Sequence, residues 1–316
     1  MDDGRAVTRG LVLCLALAVT AGAGSAVAPL LREQAWTMAS GDVAHQLTHA
    51  FPECLEMPNN PALRTRLDTG RALFRSSAVL GGPAARLGLS CNGCHTNGQA
   101  NANFYLPELT DRPGAADVTS EWSSAVRGDG VMNPRTIPNL VDVGARAQFG
   151  SGGERSLDRF VNGVIHEEFQ GPPLAPAAFE SLIAYLRGLK SASCPPSAEN
   201  TITLQSEASD VRRALAAAEV ADPATSSLVL VSAQEAVGQL VERLPSPVFD
   251  AERKSFEDLA RELGALRAQG SDAHDLLVKT QPGWRARFDA AVARVEPRIS
   301  KTYFDETTLR AALAGR

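Results

Sequence analysis

The 316 residues suffice for about two domains of ordinary size, and a hydrophobic fraction of 44% lets each bury a core of its own. A formal net charge of −5, with no long basic run, argues against nucleic acid as a partner.

Arg5 and Arg9 provide a positive start, Leu11 to Val19 a short apolar run, and Ala26-Val27-Ala28 a small-residue cleavage site. Residues 1–28 therefore read as a secretory signal peptide. A bilayer span needs roughly 20 apolar residues, so the run predicts export to the periplasm and no stable membrane span after cleavage. The alternative is an uncleaved N-terminal anchor. Cysteine usage fits export. Of the five, Cys14 lies in the signal and Cys91 and Cys94 in a motif of their own, leaving Cys54 and Cys194. An even remainder in an oxidising compartment points to a disulfide, the alternative being two buried free thiols.

Residues 29–62 are polar and contain proline, with a short helical stretch around Val43 to Ala50. Within it His45 and His49, at i,i+4 spacing, read as a solvated helix face; a metal-binding pair is the other reading. A helix is predicted from about Pro61 to Arg75, with Leu63, Leu67, Gly70 and Phe74 on one face. From Asn97 to Gly153 the chain is rich in Gly, Pro, Asn and Asp and reads as a long loop, a length that is uncommon unless it wraps something. Helical patterns resume at Ser156 to Glu168 and Ala175 to Leu189, and Ser191 to Asn200 reads as a linker.

Beyond the linker, residues 201–316 contain neither Cys nor Met and a single histidine, His274, expected at the surface. Four or five amphipathic helices are predicted there. Their cores are Val211/Leu215, Val237/Leu240/Val241/Leu244, Phe256/Leu259/Leu263/Leu266 and Phe288/Val292/Val295. Thr225, Asp250 and Ser271 are expected as N-caps, and Pro223, Pro245, Pro247 and Pro282 as breaks. The pattern is that of an antiparallel helical bundle. The domains are thus 1–28 (signal), 29–194, and 195–316, the last of unassigned role.

Cys91-Asn92-Gly93-Cys94-His95 matches the C-x-x-C-H haem attachment signature. Two thiols three positions apart on one helical turn can each bond a haem vinyl group, and the following imidazole then faces the iron. The expectation is one covalent haem c on Cys91 and Cys94, with His95 as proximal iron ligand. A redox dithiol needs no trailing histidine, and a zinc site needs a second ligand pair at suitable spacing, which is absent from the sequence.

Gly70-Arg71-Ala72-Leu73-Phe74 before the motif and Leu182-Ile183-Ala184-Tyr185-Leu186-Arg187-Gly188-Leu189 after it resemble the N- and C-terminal helices of class I cytochromes c. The resemblance covers about residues 60–190 and implies that these helices cross at the glycine, with aromatics filling the contact. The fold class expected is therefore all-α: a cytochrome c-like haem domain with long loops plus the C-terminal bundle. Three segments are also similar to the haem domains of the bacterial dihaem cytochrome c peroxidase and MauG-like group: Leu89 to His95, Pro134 to Leu140, and Phe149 to Gly153 with Leu157 and Val161. That group uses two haems and this chain has one motif, so its peroxidase activity does not carry over directly.

The sixth ligand decides what such a haem does. His166, in Gly163-Val164-Ile165-His166-Glu167-Glu168-Phe169, is the first choice because it falls where the resembling domains place a distal ligand. Its other reading is a solvent-facing histidine at a helix end. Met132, in a Pro-containing loop, is the alternative, with ordinary packing as its other reading. Arg135 and Arg146 are candidates for the haem propionates and Trp122 for its edge. The function expected is electron transfer to a redox partner protein. The alternative is a peroxidase-like haem oxidoreductase with an exchangeable sixth ligand, in which Glu167 and Glu168 would move protons.

Overall fold

The computed structural model describes residues 30–37 and 41–315. Residues 1–28, expected to be a signal peptide and holding Cys14, and Met38 lie outside them. The described chain is mostly helical, as expected of an all-α protein, and its strands are two-residue pairings. After α1 (Val43–Thr48), strand β1 (His49–Ala50) pairs antiparallel with β4 (Asn200–Thr201), and β2 (Ala115–Ala116) pairs with β3 (Arg135–Thr136) inside the long loop. None of the described helices is long and apolar enough to cross a membrane.

Helix α2 (Pro61–Arg75) starts where Asn60 Oδ1 accepts from the amides of Ala62 and Leu63, at 2.9 and 3.2 Å. Pro61 sits at its first turn, where a missing N–H costs nothing. Leu67, Gly70, Leu73 and Phe74 form its buried face, while Leu63, expected on that face, is exposed in the first turn. This face packs on α6 (Pro176–Gly188). The two cross at Gly70, where a methyl group would overlap the Ser181 carbonyl oxygen and come within 2.8 Å of Tyr185 Cβ. The rings of Phe74 and Tyr185, 5.1 Å apart, fill the space beside the crossing.

Helices α7 (Leu204–Val220), α8 (Pro223–Glu242), α9 (Asp250–Arg267) and α10 (Ala273–Val295) pack in sequence, and α10 returns against α7. The bundle is followed by α11 (Glu306–Ala314), which lies on α1. The expected core positions are buried, apart from Val241 and Leu266, which are half-buried at its margin. Several boundaries differ from expectation. Asp222, not Thr225, caps α8 by accepting from the Thr225 amide at 3.0 Å, so Pro223 is the first residue of that helix instead of a break. Phe249 occupies the cap position before Asp250, and Asp272 that before α10, in place of Asp250 and Ser271. Pro282 lies within α10, which continues through it. His274 is half-buried.

Cys54 and Cys194 form a disulfide. It lies where residues 54–56 run beside 188–190, with Lys190 N donating to Cys54 O at 2.7 Å and Glu56 N to Gly188 O at 2.9 Å. The boundary expected at 194/195 falls in the exposed connection next to it. Across that boundary α2 also packs on α7 and α8, and one hydrophobic core runs from Ala72 and Phe74 through Leu189 into the bundle.

Candidate functional site

The motif sits on a single helical turn, α4 (Cys91–Cys94), closed by the His95 amide donating to Cys91 O at 2.9 Å. Both cysteines are free thiols, half-buried against an apolar cluster that includes Leu80, Leu89, Phe104 and Ile137. Burial pushes each thiol up to about 12. The direction is opposite to that of the attacking thiol of a redox dithiol, whose pKa is lowered toward neutrality.

His95 Nδ1 lies 2.9 Å from the Pro138 carbonyl oxygen. A carbonyl only accepts, so Nδ1 carries the proton and Nε2 presents its lone pair. The ring keeps some accessible surface, yet protein encloses it on nearly every side, and this burial lowers its pKa to about 4. The imidazole is therefore neutral at physiological pH, the form that binds iron. Nδ1 held by a backbone carbonyl is also the usual second-shell arrangement of a metal-ligating histidine. Two thiols and an oriented neutral imidazole on adjacent positions fit a covalent haem. Among the described residues, the motif forms no cluster of three His, Cys, Asp or Glu ligand atoms close enough to share an ion, so a zinc half-site finds no complement.

Asparagines that the sequence reading passed over hold the turn in place. Asn92 Oδ1 accepts from Asn97 N at 2.9 Å, Asn101 Nδ2 donates to Gly93 O at 2.9 Å, and Asn97 Nδ2 donates to Phe51 O at 2.7 Å. Asn97 takes a left-handed φ of 54°, which Asn tolerates better than most residues. Its Oδ1 accepts from Arg75, which belongs to a buried ionic network with Glu53, Arg71 and Asp210. Tyr185 OH donates to Glu53 at 2.8 Å. Burial pushes the Glu53 and Asp210 carboxyls up, but the Arg71 and Arg75 charges outweigh it and leave both below the usual range.

Glu207, on the wall of the adjoining cavity of about 370 Å³, shows the opposite balance. Burial, helped by the Asp210 charge, pushes it up to about 7. Between the ordinary value near 4.5 and about 7 the folded chain holds a proton that the unfolded chain has lost. Stability therefore falls as pH rises through that window. Glu207→Gln is expected to be more stable than the parent at pH 8, by about 1 kcal/mol after solvent screening, and equal to it at pH 4. Urea unfolding at the two pH values measures this; a gain of equal size at both would sink the charge argument.

The predicted helix at 156–168 is divided. Ser156 caps α5 (Leu157–Gly163) through the Arg159 amide at 3.3 Å, and the chain then widens into a π-helical turn over Val164–Glu168. Such turns are frequent at functional sites. His166 lies on it, half-buried, with Nδ1 3.0 Å from the Gly171 carbonyl oxygen. Gly171 is pressed against the Val79 carbonyl, which a methyl group would overlap. Phe169, on the same turn, packs into the apolar cluster that holds Cys91 and Cys94.

Met132 is half-exposed in the long loop, as are Trp122 and Val131. Gln170 joins this loop to the His166 turn: its Nε2 donates to Ser124 Oγ at 2.9 Å and its Oε1 accepts from Ala125 N at 2.9 Å. Arg127 pairs with Glu168 at 2.7 Å across the same junction. Arg146 is close enough for its charge to act on His95, while its guanidinium donates to the Asn139 and Val141 carbonyls; Arg135 is exposed on β3. The structure thus brings Cys91, Cys94 and His95 together, and ties the His166 turn to residues 124–127 of the loop that carries Met132 further along. No family model, curated protein or solved structure matches the chain.

Proposed function

We propose that this chain is an exported c-type cytochrome that carries one haem on Cys91 and Cys94, with His95 as proximal ligand, and passes electrons to a redox partner protein in the periplasm. The observation that carries the reading is the 2.9 Å contact from His95 Nδ1 to the Pro138 carbonyl, one residue after the thiol pair. The haem supplies a reversible one-electron change at its iron. The chain's own contribution is positional. Pro138 fixes the tautomer and ring direction, burial keeps the ring neutral, and the asparagine bonds hold the turn against α2. In this reading residues 29–194 form the cytochrome c-like haem domain, and His166 takes the sixth position with Met132 as the alternative.

The peroxidase-like alternative draws less support, because Glu168 is already paired with Arg127 and Glu167 is exposed. Optical spectra of the purified full-length protein, oxidised and reduced, with and without carbon monoxide, test the proposal. A low-spin spectrum unmoved by carbon monoxide, from haem that resists acid-acetone extraction, is the expected result. Extractable haem, or none, overturns the attachment; prompt carbon monoxide binding overturns the carrier in favour of the oxidoreductase.

A further inference from the structure

His45 and His49 are expected on a solvated helix face, yet the fold closes a third ligand over them. Their rings stack with centroids 4.0 Å apart and planes inclined by 23°. Glu306, at the start of α11 and far away in sequence, places Oε2 3.4 Å from His45 Nδ1 and 3.7 Å from His49 Nδ1. Zinc bound by nitrogen and oxygen ligands at about 2.0–2.1 Å sets neighbouring ligand atoms about 3.3–3.4 Å apart in a tetrahedron. The two measured edges are close to that spacing, and the three ligand atoms lie within 4.8 Å of one another.

The outer groups support the same reading. Glu199 Oε2 lies 3.0 Å from His45 Nε2, and Thr201 Oγ1 lies 3.3 Å from His49 Nε2. Glu199 on His45 Nε2 and the Thr201 hydroxyl on His49 Nε2 are outer partners of the kind that orient metal-ligating histidines; an ion would displace the Nδ1 protons that otherwise face Glu306 and the His45 carbonyl. Arg310 donates to the other Glu306 oxygen at 2.6 Å, leaving Oε2 turned to the rings. Thr48 Oγ1 and the His45 carbonyl also lie near His49 Nδ1, at 3.1 and 3.2 Å. The Thr48 hydroxyl has another acceptor in Ala44 O at 2.8 Å, so an ion at Nδ1 would leave it bonded. The side chains of His45, His49 and Glu306 are 42%, 21% and 33% exposed, which leaves an approach for the ion and room for a water as fourth ligand.

We propose that His45, His49 and Glu306 form a binding site for one divalent transition-metal ion of the zinc class, with Glu199 and Thr201 orienting the imidazoles. The donor set of two imidazoles and one carboxylate suits zinc over the harder magnesium and calcium ions. None of its three ligands belongs to the Cys91–His95 motif. The site cross-links α1 to α11, and so the two ends of the described chain.

The test is isothermal titration of tag-free, haem-loaded, full-length protein with zinc chloride, backed by elemental analysis after dialysis. One equivalent bound, with magnesium giving no heat, is the expected result. Glu306→Gln keeps the side chain's shape and is expected to weaken binding about a hundredfold, and Glu199→Gln by about tenfold, with circular dichroism and the haem spectrum unchanged. His49→Ala, as a second ligand variant, is expected to match Glu306→Gln. Absence of a saturable equivalent, or equal zinc affinity in parent, Glu306→Gln and His49→Ala, overturns the site and leaves the cluster as plain ion pairs.

Discussion

With the proposed haem bound, His166→Ala is expected to turn a six-coordinate, low-spin spectrum into a high-spin one that responds promptly to carbon monoxide, while Met132→Ala leaves the spectrum unchanged. The expectation rests on how each side chain is held. The His166 ring is aimed by its Nδ1 contact to the Gly171 carbonyl, so Nε2 is the atom left for a ligand. Its turn is fixed on two sides, by Phe169 in the cluster that holds Cys91 and Cys94 and by Gln170 bonded to Ser124 and Ala125. Met132 has no comparable anchor of its own. Its loop is tied through Asn133, whose amide donates to Asp117 Oδ2 at 3.0 Å, and the thioether itself is half-exposed.

The two ligands also predict opposite potentials. A methionine sixth ligand raises the midpoint relative to histidine, so a bis-histidine haem should titrate lower. Potentiometry on the parent and both variants reads this sign independently of the spin state. If Met132→Ala lowers the midpoint and produces the high-spin spectrum while His166→Ala does neither, the assignment is reversed. If neither variant changes spectrum or midpoint, both are excluded as ligands.

What the sequence made legible follows from what leaves a local mark. The bundle helices announce themselves because Val237, Leu240 and Leu244, or Phe256, Leu259 and Leu263, recur at the helical period, and they are buried. The Cys54–Cys194 bond is readable from parity, since the motif and the expected signal segment account for the other three thiols. Caps were harder because they depend on one residue's offset. Pro223 looks like a break, yet after Asp222 it opens a helix. The groups that aim His95 and His166 left no mark at all, because both are backbone carbonyls, of Pro138 and Gly171, and every residue has one. The network of Glu53, Arg71, Arg75 and Asp210 was equally hidden, its charges being joined only when α2 packs on α7. The third ligand beside His45 and His49 comes from the far end of the chain.

Gly70→Ala is expected to destabilise the protein by about 2 kcal/mol or more, although alanine is the better helix former. The favourable side is small: replacing glycine within a helix gains about 1 kcal/mol. Against it, the new methyl group would overlap the Ser181 carbonyl oxygen. That oxygen belongs to the backbone of α6 and cannot swing aside as a flexible side chain would. The helices must separate, and overpacking of a filled contact costs about 1–3 kcal/mol, occasionally more. Separation also pulls Phe74 from Tyr185 and strains the Tyr185 bond to Glu53, so the loss extends beyond the methyl itself. Arg75, five residues along α2, donates to Asn97 behind the Cys91–Cys94 turn, so a displaced α2 should also lower the fraction of chains recovered with the proposed haem attached. Gly70→Val, with two more methyl groups, should be worse on both counts. Urea unfolding and haem-to-protein absorbance ratios measure the two effects. A Gly70→Ala variant as stable as the parent would mean that the crossing is looser than the contact at Ser181 requires.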